Sequence, residues 1–415
     1  MPPTLTADAA VEAIARAGER GRVFLSAGPA EPLALHDAWR QKPETASGLR
    51  FAGLFIPGLN RLDYASLHPS AGMDVFMLSP DWRAGFVSGQ NRHRPMHYLQ
   101  AFRTLLREGA PAGVVQVSRP DDSGYASFGV SADASPAMID RIGWKLAVIN
   151  HAMPRVHDAP AIPVSAFDAV VEIDHPLATL TEASSDAAAI ATHVAAWVRD
   201  GDTLQSGVGK LPSAVLSFLG GRRNLRIHSG LLTAAHLALV DKGAVRDEPG
   251  AVTAGMGAGD AAFYARMGAE KRLRLVSVAE THAHDVLAAI DRFVAINAAL
   301  EIDLFGQINA ELAGDAQISG VGGLVDFVRG ANASSGGRAL VMIQAEGRGA
   351  SRVVPRLTGP VTVSRVDAPI VVTEYGAVDL GPLDIDARAE AITSLAAPAY
   401  REKLRAAWRA MRSVL

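Results

Sequence analysis

The sequence predicts an α/β protein built in two halves. Three observations carry that expectation. A strand, a turn containing Gly or Pro, and a helix recur along the chain, the repeating unit of α/β folds. The run GVVQV (113–117) reads as an apolar strand, the kind buried in a parallel sheet. The 415 residues exceed one ordinary core, so two domains are expected. The Ala-, Ser- and Thr-rich stretch 174–190 divides them, into 1–180 and 181–415.

In chain order, 7–20 reads as an amphipathic surface helix, and Arg22 to Ala27 as a strand turned by Gly28-Pro29. Pro32 then opens a helix carrying Leu33, Leu35 and Trp39. Phe51 to Ile56 and Met73 to Leu78 are further strands. The Arg/His-rich stretch 88–100 fits a solvated loop or a contact with an anion or partner. After the strand at 113–117 comes a long Gly/Ser/Asp loop, of the kind that holds ligands at strand ends. Leu146 to Asn150 and Ala169 to Val171 complete the first half. The second half opens on a helix through His193, Val194 and Trp197.

Asp202 to Val245 reads as two strand–turn–helix units in a row. Thr203 to Ser206 is a strand, Gly207-Val208-Gly209 a turn, and Pro212 the first residue of a helix that Gly220-Gly221 closes. Asn224 to His228 is the next strand, and Ser229-Gly230 opens a helix with Leu232, Ala235, Leu239 and Val240. A Gly-rich turn feeding a helix presents free N–H groups and a positive dipole end to an oxyanion. It also serves plain packing. Gly250 to Gly259 reads as a loop, followed by a helix around Phe263 and a strand at 273–278. Two β pieces flank Phe305-Gly306. SGVGGLVDFVRGA (319–331) is a second Gly turn before a helix. Strands follow at 339–344, 361–364 and 370–373, with a polar loop at 345–352. The chain ends in amphipathic helix.

Composition narrows the function. A net charge of −3 gives no electrostatic basis for nucleic-acid or membrane-surface binding. The absence of cysteine excludes disulfides and thiolate chemistry. The amphipathic start, with Glu12 and Glu19, is unlike a signal peptide, and a cytoplasmic protein is expected. GVGK is neither a P-loop nor a dinucleotide fingerprint, and HSG is no nucleophile elbow. His151 and His157 lack metal-ligand spacing, and His282 and His284 need further ligands to hold a metal. What remains is backbone N–H groups at Gly turns, suited to a thioester or anhydride oxyanion.

Eight ordered stretches then carry a resemblance. They are QVSRPDDSGYASFG (116–129), INHAMPR (149–155), SGVGKLP (206–212), VAINAALEIDLFGQINAE (294–311), SGVGGLVDFVRGA (319–331), SRVVPRL (351–357), VVTEYGAVDL (371–380) and PAYREKL (398–404). Together they resemble the acetyl-CoA hydrolase/transferase family over nearly the whole chain. The resemblance implies two similar open α/β domains of the CoA-transferase type with the site between them, and a homodimer. It implies acyl-CoA as substrate, a small carboxylate as second substrate, and no tightly bound cofactor. Gly207, Val208, Gly209, Lys210 and Leu211 match the family's CoA-binding turn. Gly320, Gly322 and Gly323 match the loop that faces the thioester. Arg348 stands nearest a Lys that touches CoA.

One departure outweighs these matches. Where the family carries its nucleophilic Glu, this sequence has Gly230, and glycine cannot attack an acyl group. Leu324 also stands where the family commonly has Gln. Glu374, Glu301 and Asp303 lie in motifs shared with members that keep the nucleophile, and Glu280, Asp260 and Glu346 are near loops only. His228 is the candidate general base, or ordinary strand packing. Phe128, Phe305 and Leu324 suggest an apolar pocket wall or core. The expectation is an enzyme that processes a CoA thioester by hydrolysis or direct acyl chemistry, without a glutamyl-CoA intermediate. A carboxylate CoA-transferase with another nucleophile, and a non-catalytic CoA-binding protein or partner subunit, are the alternatives.

Overall fold

The computed structural model describes residues 2–180, 187–347 and 349–414. Helix α1 (Ala7–Gly18) begins where the Thr6 side chain accepts the Ala9 N–H, and it buries Ala10, Val11 and Ile14. The elements that follow are β1 (Arg22–Leu25), α2 (Leu33–Gln41), β2 (Arg50–Ala52), β3 (Gly72–Val75), β4 (Asn91–His93), α3 (Tyr98–Glu108), β5 (Ala110–Val117), β6 (Ile142–Asn150) and β7 (Ala169–Ile173). The strands form one sheet in the order β4-β3-β2-β1-β5-β6-β7, and every pairing is parallel. The Arg/His-rich stretch supplies β4 at the sheet edge, where charge discourages further strand pairing. Trp39 packs edge-on against Phe51 at 5.1 Å, beside Tyr64, at the centre of this core. Burying each such ring contributes about 2 kcal/mol.

The next elements are α4 (Ala188–Ala195), β8 (Thr203–Ser206), α5 (Lys210–Phe218), β9 (Arg226–Leu232), α6 (Ala234–Asp241), β10 (Val252–Gly257), α7 (Ala261–Ala269), β11 (Leu273–Leu275), β12 (Phe293–Ala298), α8 (His284–Ala288, just before β12), α9 (Leu324–Ala333), β13 (Arg338–Met342), β14 (Ile370–Thr373), β15 (Gly376–Asp379), α10 (Ile385–Ser394) and α11 (Pro398–Arg412). Two compact units divide the chain. One comprises Met1–Thr181, Gly230–Leu232 and Glu248–Thr281, and the other Glu182–Ser229, Thr233–Asp247 and His282–Leu415. In the second unit the order is β9-β8-β12-β13-β14-β15, parallel except for the last pair. The run β9-β8-β12-β13-β14 repeats the first unit's β2-β1-β5-β6-β7 in connectivity, so the two halves share a topology.

Three local expectations need correction. The strand beginning near Asn224 does not end at His228. It runs on through Ser229 and Gly230 to Leu232, because Leu231 and Leu232 are both buried strand residues. The helix starts only after Thr233, where Thr233 and His236 cap it reciprocally. The Gly-rich 250–259 is not a loop: β10 is buried along its whole length. Its glycines permit close approach. A Cβ on Gly255 would stand 2.9 Å from the Gly230 carbonyl oxygen, and one on Gly257 would run into the Met267 sulfur. Third, 361–364 makes only a single bridge, from Val363 to Ile308.

Candidate functional site

In the second unit the chain leaves β8 for β9 on one side of the sheet and leaves β12 for β13 on the other. The strand order therefore reverses between β8 and β12. Open α/β sheets bind ligands outside the carboxyl ends of strands at such a reversal. The residues there are the Ser206–Gly209 segment after β8 and Ala298-Ala299 at the end of β12.

The turn after β8 is built by close packing. Gly207 donates its N–H to the Ile296 carbonyl at 2.8 Å. A Cβ at Gly207 would stand 2.9 Å from Asn297 Oδ1. That side chain cannot yield easily, because Asn297 and Gln205 exchange amide hydrogen bonds of 2.9 and 3.3 Å. Gly209 has φ of 114°, a conformation strained for any residue with a Cβ. Lys210 then begins α5, and Pro212 is its third residue rather than its first. Val208, Gly209 and Lys210 are exposed. Among the described residues, the N–H groups of Val208, Gly209, Lys210 and Leu211 donate no hydrogen bond. They sit at the positive end of a nine-residue helix and suit an anionic oxygen.

Behind this turn lies a buried histidine that sequence reasoning missed. The Thr233 N–H donates to His236 Nδ1 at 3.1 Å, and His236 Nε2 lies 3.0 Å from Ser206 Oγ. Ser206 Oγ in turn donates to the Gly207 carbonyl at 3.3 Å, and Ser229 Oγ donates to the Ser206 carbonyl at 3.2 Å. Burial pushes the His236 pKa down to about 4. In the sequence His236 looks like one more polar residue in a helix of alanines and leucines. Its cap with Thr233 is local, but its reach to Ser206 exists only once β8 and β9 pair.

The second Gly stretch precedes α9. Gly320 is buried, Gly322 has φ of 56°, and a Cβ on Gly323 would stand 2.7 Å from His282 Nε2. The His282 ring packs on Phe327 at 4.5 Å, which explains the glycine. Leu324 belongs to the second unit's hydrophobic core. Phe305 is buried between Trp408 (5.4 Å) and the Arg356 guanidinium (5.4 Å), and Phe128 is buried in the first unit. Arg348 lies outside the described residues; the short strands Glu346–Gly347 and Ala350–Ser351 on either side of it pair as a hairpin.

Gly230 is half-buried in the interior of β9, two residues after His228. His228 is buried, with its ring edge-on to Phe293 at 6.1 Å. Alternation along a strand puts residues two apart on one face. Beside Gly230 the first unit holds a second feature absent from the sequence reading. The Gly255 Cβ position, close to the Gly230 carbonyl, is also 3.3 Å from the Asp133 Cβ. Asp133 is fully buried and accepts hydrogen bonds from Tyr98 Oη (2.9 Å) and Ser131 Oγ (3.4 Å). Burial raises its pKa to about 6, against the pull of these hydrogen bonds.

Most of the other carboxylates have structural partners. Asp303 accepts from the N–H groups of Phe305, Gln307 and Leu357 and from Gln307 Nε2. Glu374 accepts the Ala345 N–H at 2.8 Å, and Glu301 accepts from Asn309 at 3.1 Å. Glu280 pairs with Arg274 at 2.8 Å, and Asp260 caps α7 through the Phe263 N–H. Glu346 is exposed. Among the described residues no group of three or more His, Asp or Glu is placed to hold a metal. No helix among them is long and apolar enough to cross a membrane.

The chain is similar to known proteins over nearly its full length. Residues 8–181 match the acetyl-CoA hydrolase/transferase N-terminal domain, and 259–408 match the corresponding C-terminal domain. The chain is 32% identical to the 4-hydroxybutyrate coenzyme A transferase of Clostridium kluyveri over 408 residues, 95% of each chain. The crystal structure of RipA from Yersinia pestis superposes with a TM-score of 0.87 at 31% identity, covering 99% of this chain and 97% of the other. That of the 4-hydroxybutyrate CoA-transferase from Porphyromonas gingivalis gives 0.79 at 27%, covering 99% and 98%. With two matching domain models and such similarity over nearly its full length, the chain belongs to the acetyl-CoA hydrolase/transferase family.

Proposed function

We propose that the protein binds an acyl-CoA and cleaves its thioester without a glutamyl-enzyme intermediate. The observation that carries this is Gly230, a residue without a side chain at the place matched to the family's nucleophilic Glu. Val208 to Leu211 hold CoA oxygens through free N–H groups and the α5 dipole, and Gly207 sets the turn. Gly320, Gly322 and Gly323 offer backbone donors to the thioester oxyanion, and Arg348 supplies a phosphate contact. Water adds to the thioester carbonyl and a general base takes its proton. The C–S bond then breaks, giving a carboxylate and the CoA thiol. The base is Asp133, tuned close to neutrality beside Gly230, or His228 on the same strand. CoA is a substrate here, not a resident cofactor, and the working form is a homodimer.

The second reading is a carboxylate CoA-transferase with another nucleophile. It is favoured by the 32% identity, over 95% of each chain, to a relative named as a transferase. A panel of acyl-CoAs, followed for thiol release with and without acetate or succinate, separates the readings. The proposal expects release without an acceptor and no hydroxylamine-sensitive enzyme species. Release only with an acceptor, with a new acyl-CoA formed, would establish the transferase. Acyl-CoA binding with no turnover across the panel would mark a binding protein. Gly230→Glu then tests the scaffold: it is expected to gain a trappable glutamyl thioester.

A further inference from the structure

We infer that His236 is a positioning residue for the ligand turn after β8: it fixes the Gly207 carbonyl through Ser206 and so holds the Val208 N–H as a donor to a CoA oxygen. The inference rests on the reading that Gly207–Leu211 bind CoA.

The hydrogen-bond pattern leaves one assignment for the proton. A backbone N–H can only donate, so His236 Nδ1, which receives the Thr233 N–H, is the acceptor. The proton of the neutral ring is then on Nε2 and is donated to Ser206 Oγ. With that oxygen's acceptor role filled by His236, the Ser206 hydroxyl hydrogen goes to the Gly207 carbonyl. The peptide bonds of the described chain are all trans, and in a planar trans peptide the C=O and the following N–H point in opposite directions. A Gly207 carbonyl turned back to Ser206 therefore sends the Val208 N–H the other way, at a residue that is 47% exposed.

The position demands this chemistry. It needs an acceptor facing Thr233 and a donor facing Ser206, on two sides of one buried group. Neutral imidazole provides both, and no charged group does. His236 also ties the turn to the end of β9, because Thr233 follows the segment that holds Gly230, and Ser229 Oγ grips the Ser206 carbonyl at 3.2 Å.

The bland alternative is that His236 merely caps α6. Ser206→Ala separates the two roles, since it removes the link to the turn and leaves the cap intact. Calorimetric titration with CoA would compare the wild type with Ser206→Ala, His236→Leu, the double variant and His236→Gln, each checked for native circular dichroism. Glutamine can accept from Thr233 and donate to Ser206, so it is the rescuing substitution. We expect Ser206→Ala and His236→Leu each to weaken CoA binding about five- to tenfold, the loss of one buried hydrogen bond. The double variant should be no weaker than the worse single, because both break one chain. His236→Gln should bind within about twofold of wild type. Unchanged affinity in folded Ser206→Ala and His236→Leu, or losses that simply add, would overturn the positioning role while leaving the CoA turn in place. A wild type that does not bind CoA would instead remove the reading of the turn, and this inference with it.

Discussion

At the scale of single residues, the carboxylates sort by what surrounds them. Asp303 is fully buried and receives four hydrogen bonds, three from backbone N–H groups. Asp303→Ala would leave those donors unpaired, and it should cost about 3–5 kcal/mol in urea unfolding. Asp303→Asn, which keeps some acceptors, should cost less. At Asp133, burial lifts the pKa to about 6. If Asp133 is the base that activates water, the rate of thioester cleavage should rise with pH through a limb near 6, and Asp133→Asn should abolish that limb. Tyr98→Phe removes a hydrogen bond that favours the ionised form, so the limb should move to higher pH. A limb unchanged in Asp133→Asn would hand the role to His228. The IHSGLL segment that holds Gly230 was legible in the sequence as a strand leading into a helix. Asp133 was not, because nothing in SADAS says that its side chain will be buried beside a strand more than ninety residues away.

At the scale of elements, packing overrides propensity wherever two elements approach closely. Gly330 sits inside α9, where alanine would ordinarily gain about 1 kcal/mol of helix propensity. Here a Cβ would stand 2.5 Å from the Leu287 Cβ of α8, which is fully buried. Gly330→Ala should therefore destabilise by about 1–3 kcal/mol, and by less in a Leu287→Ala background, which keeps the Cβ but removes the Cδ1 and Cγ that the new methyl would meet at 2.7 and 3.1 Å. Chemical denaturation of the two single variants and the double variant measures this. A stabilised Gly330→Ala would show that α8 and α9 can move apart freely. The same physics explains the misread β10. Its glycines look like a loop in sequence, yet they are there so that Gly230, Asp133, Phe263 and Met267 can pack against the strand.

At the scale of the whole molecule, three strongly shifted buried groups, two in the first unit and one in the second, respond oppositely to pH. In the first unit burial raises Glu31 to about 7 and Asp133 to about 6. The folded state holds these protons more tightly than the unfolded chain. The stabilisation is therefore complete below pH ~4, the unfolded carboxyl range, and is lost as pH rises through the folded values. Each such shift of about two units corresponds to roughly 3 kcal/mol. In the second unit His236 is lowered to about 4, so its contribution is present above the unfolded value and disappears as pH falls towards 4. Hydrogen exchange corrected for intrinsic rates should find the first unit better protected at pH 5 than at pH 8. The second unit should weaken between pH 6.5 and pH 4. Glu31→Gln with Asp133→Asn should flatten the first trend. Equal slopes in both units would refute the assignment.

The sequence by itself determined the fold class, the helices and strands with strong periodicity, and the family. These are local or pattern-borne properties, written in apolar spacing, turn residues and ordered motifs. It could not say that the chain reverses strand order between β8 and β12, which puts the GVGK turn at the carboxyl end of a switch-point strand. Nor could it reveal that β9 continues past Gly230, or that His236 reaches Ser206 and Asp133 is buried beside Gly255. Those facts depend on contacts between residues far apart in the chain. Burial, proton location and close approach are set by which strands become neighbours, and only the tertiary structure decides that.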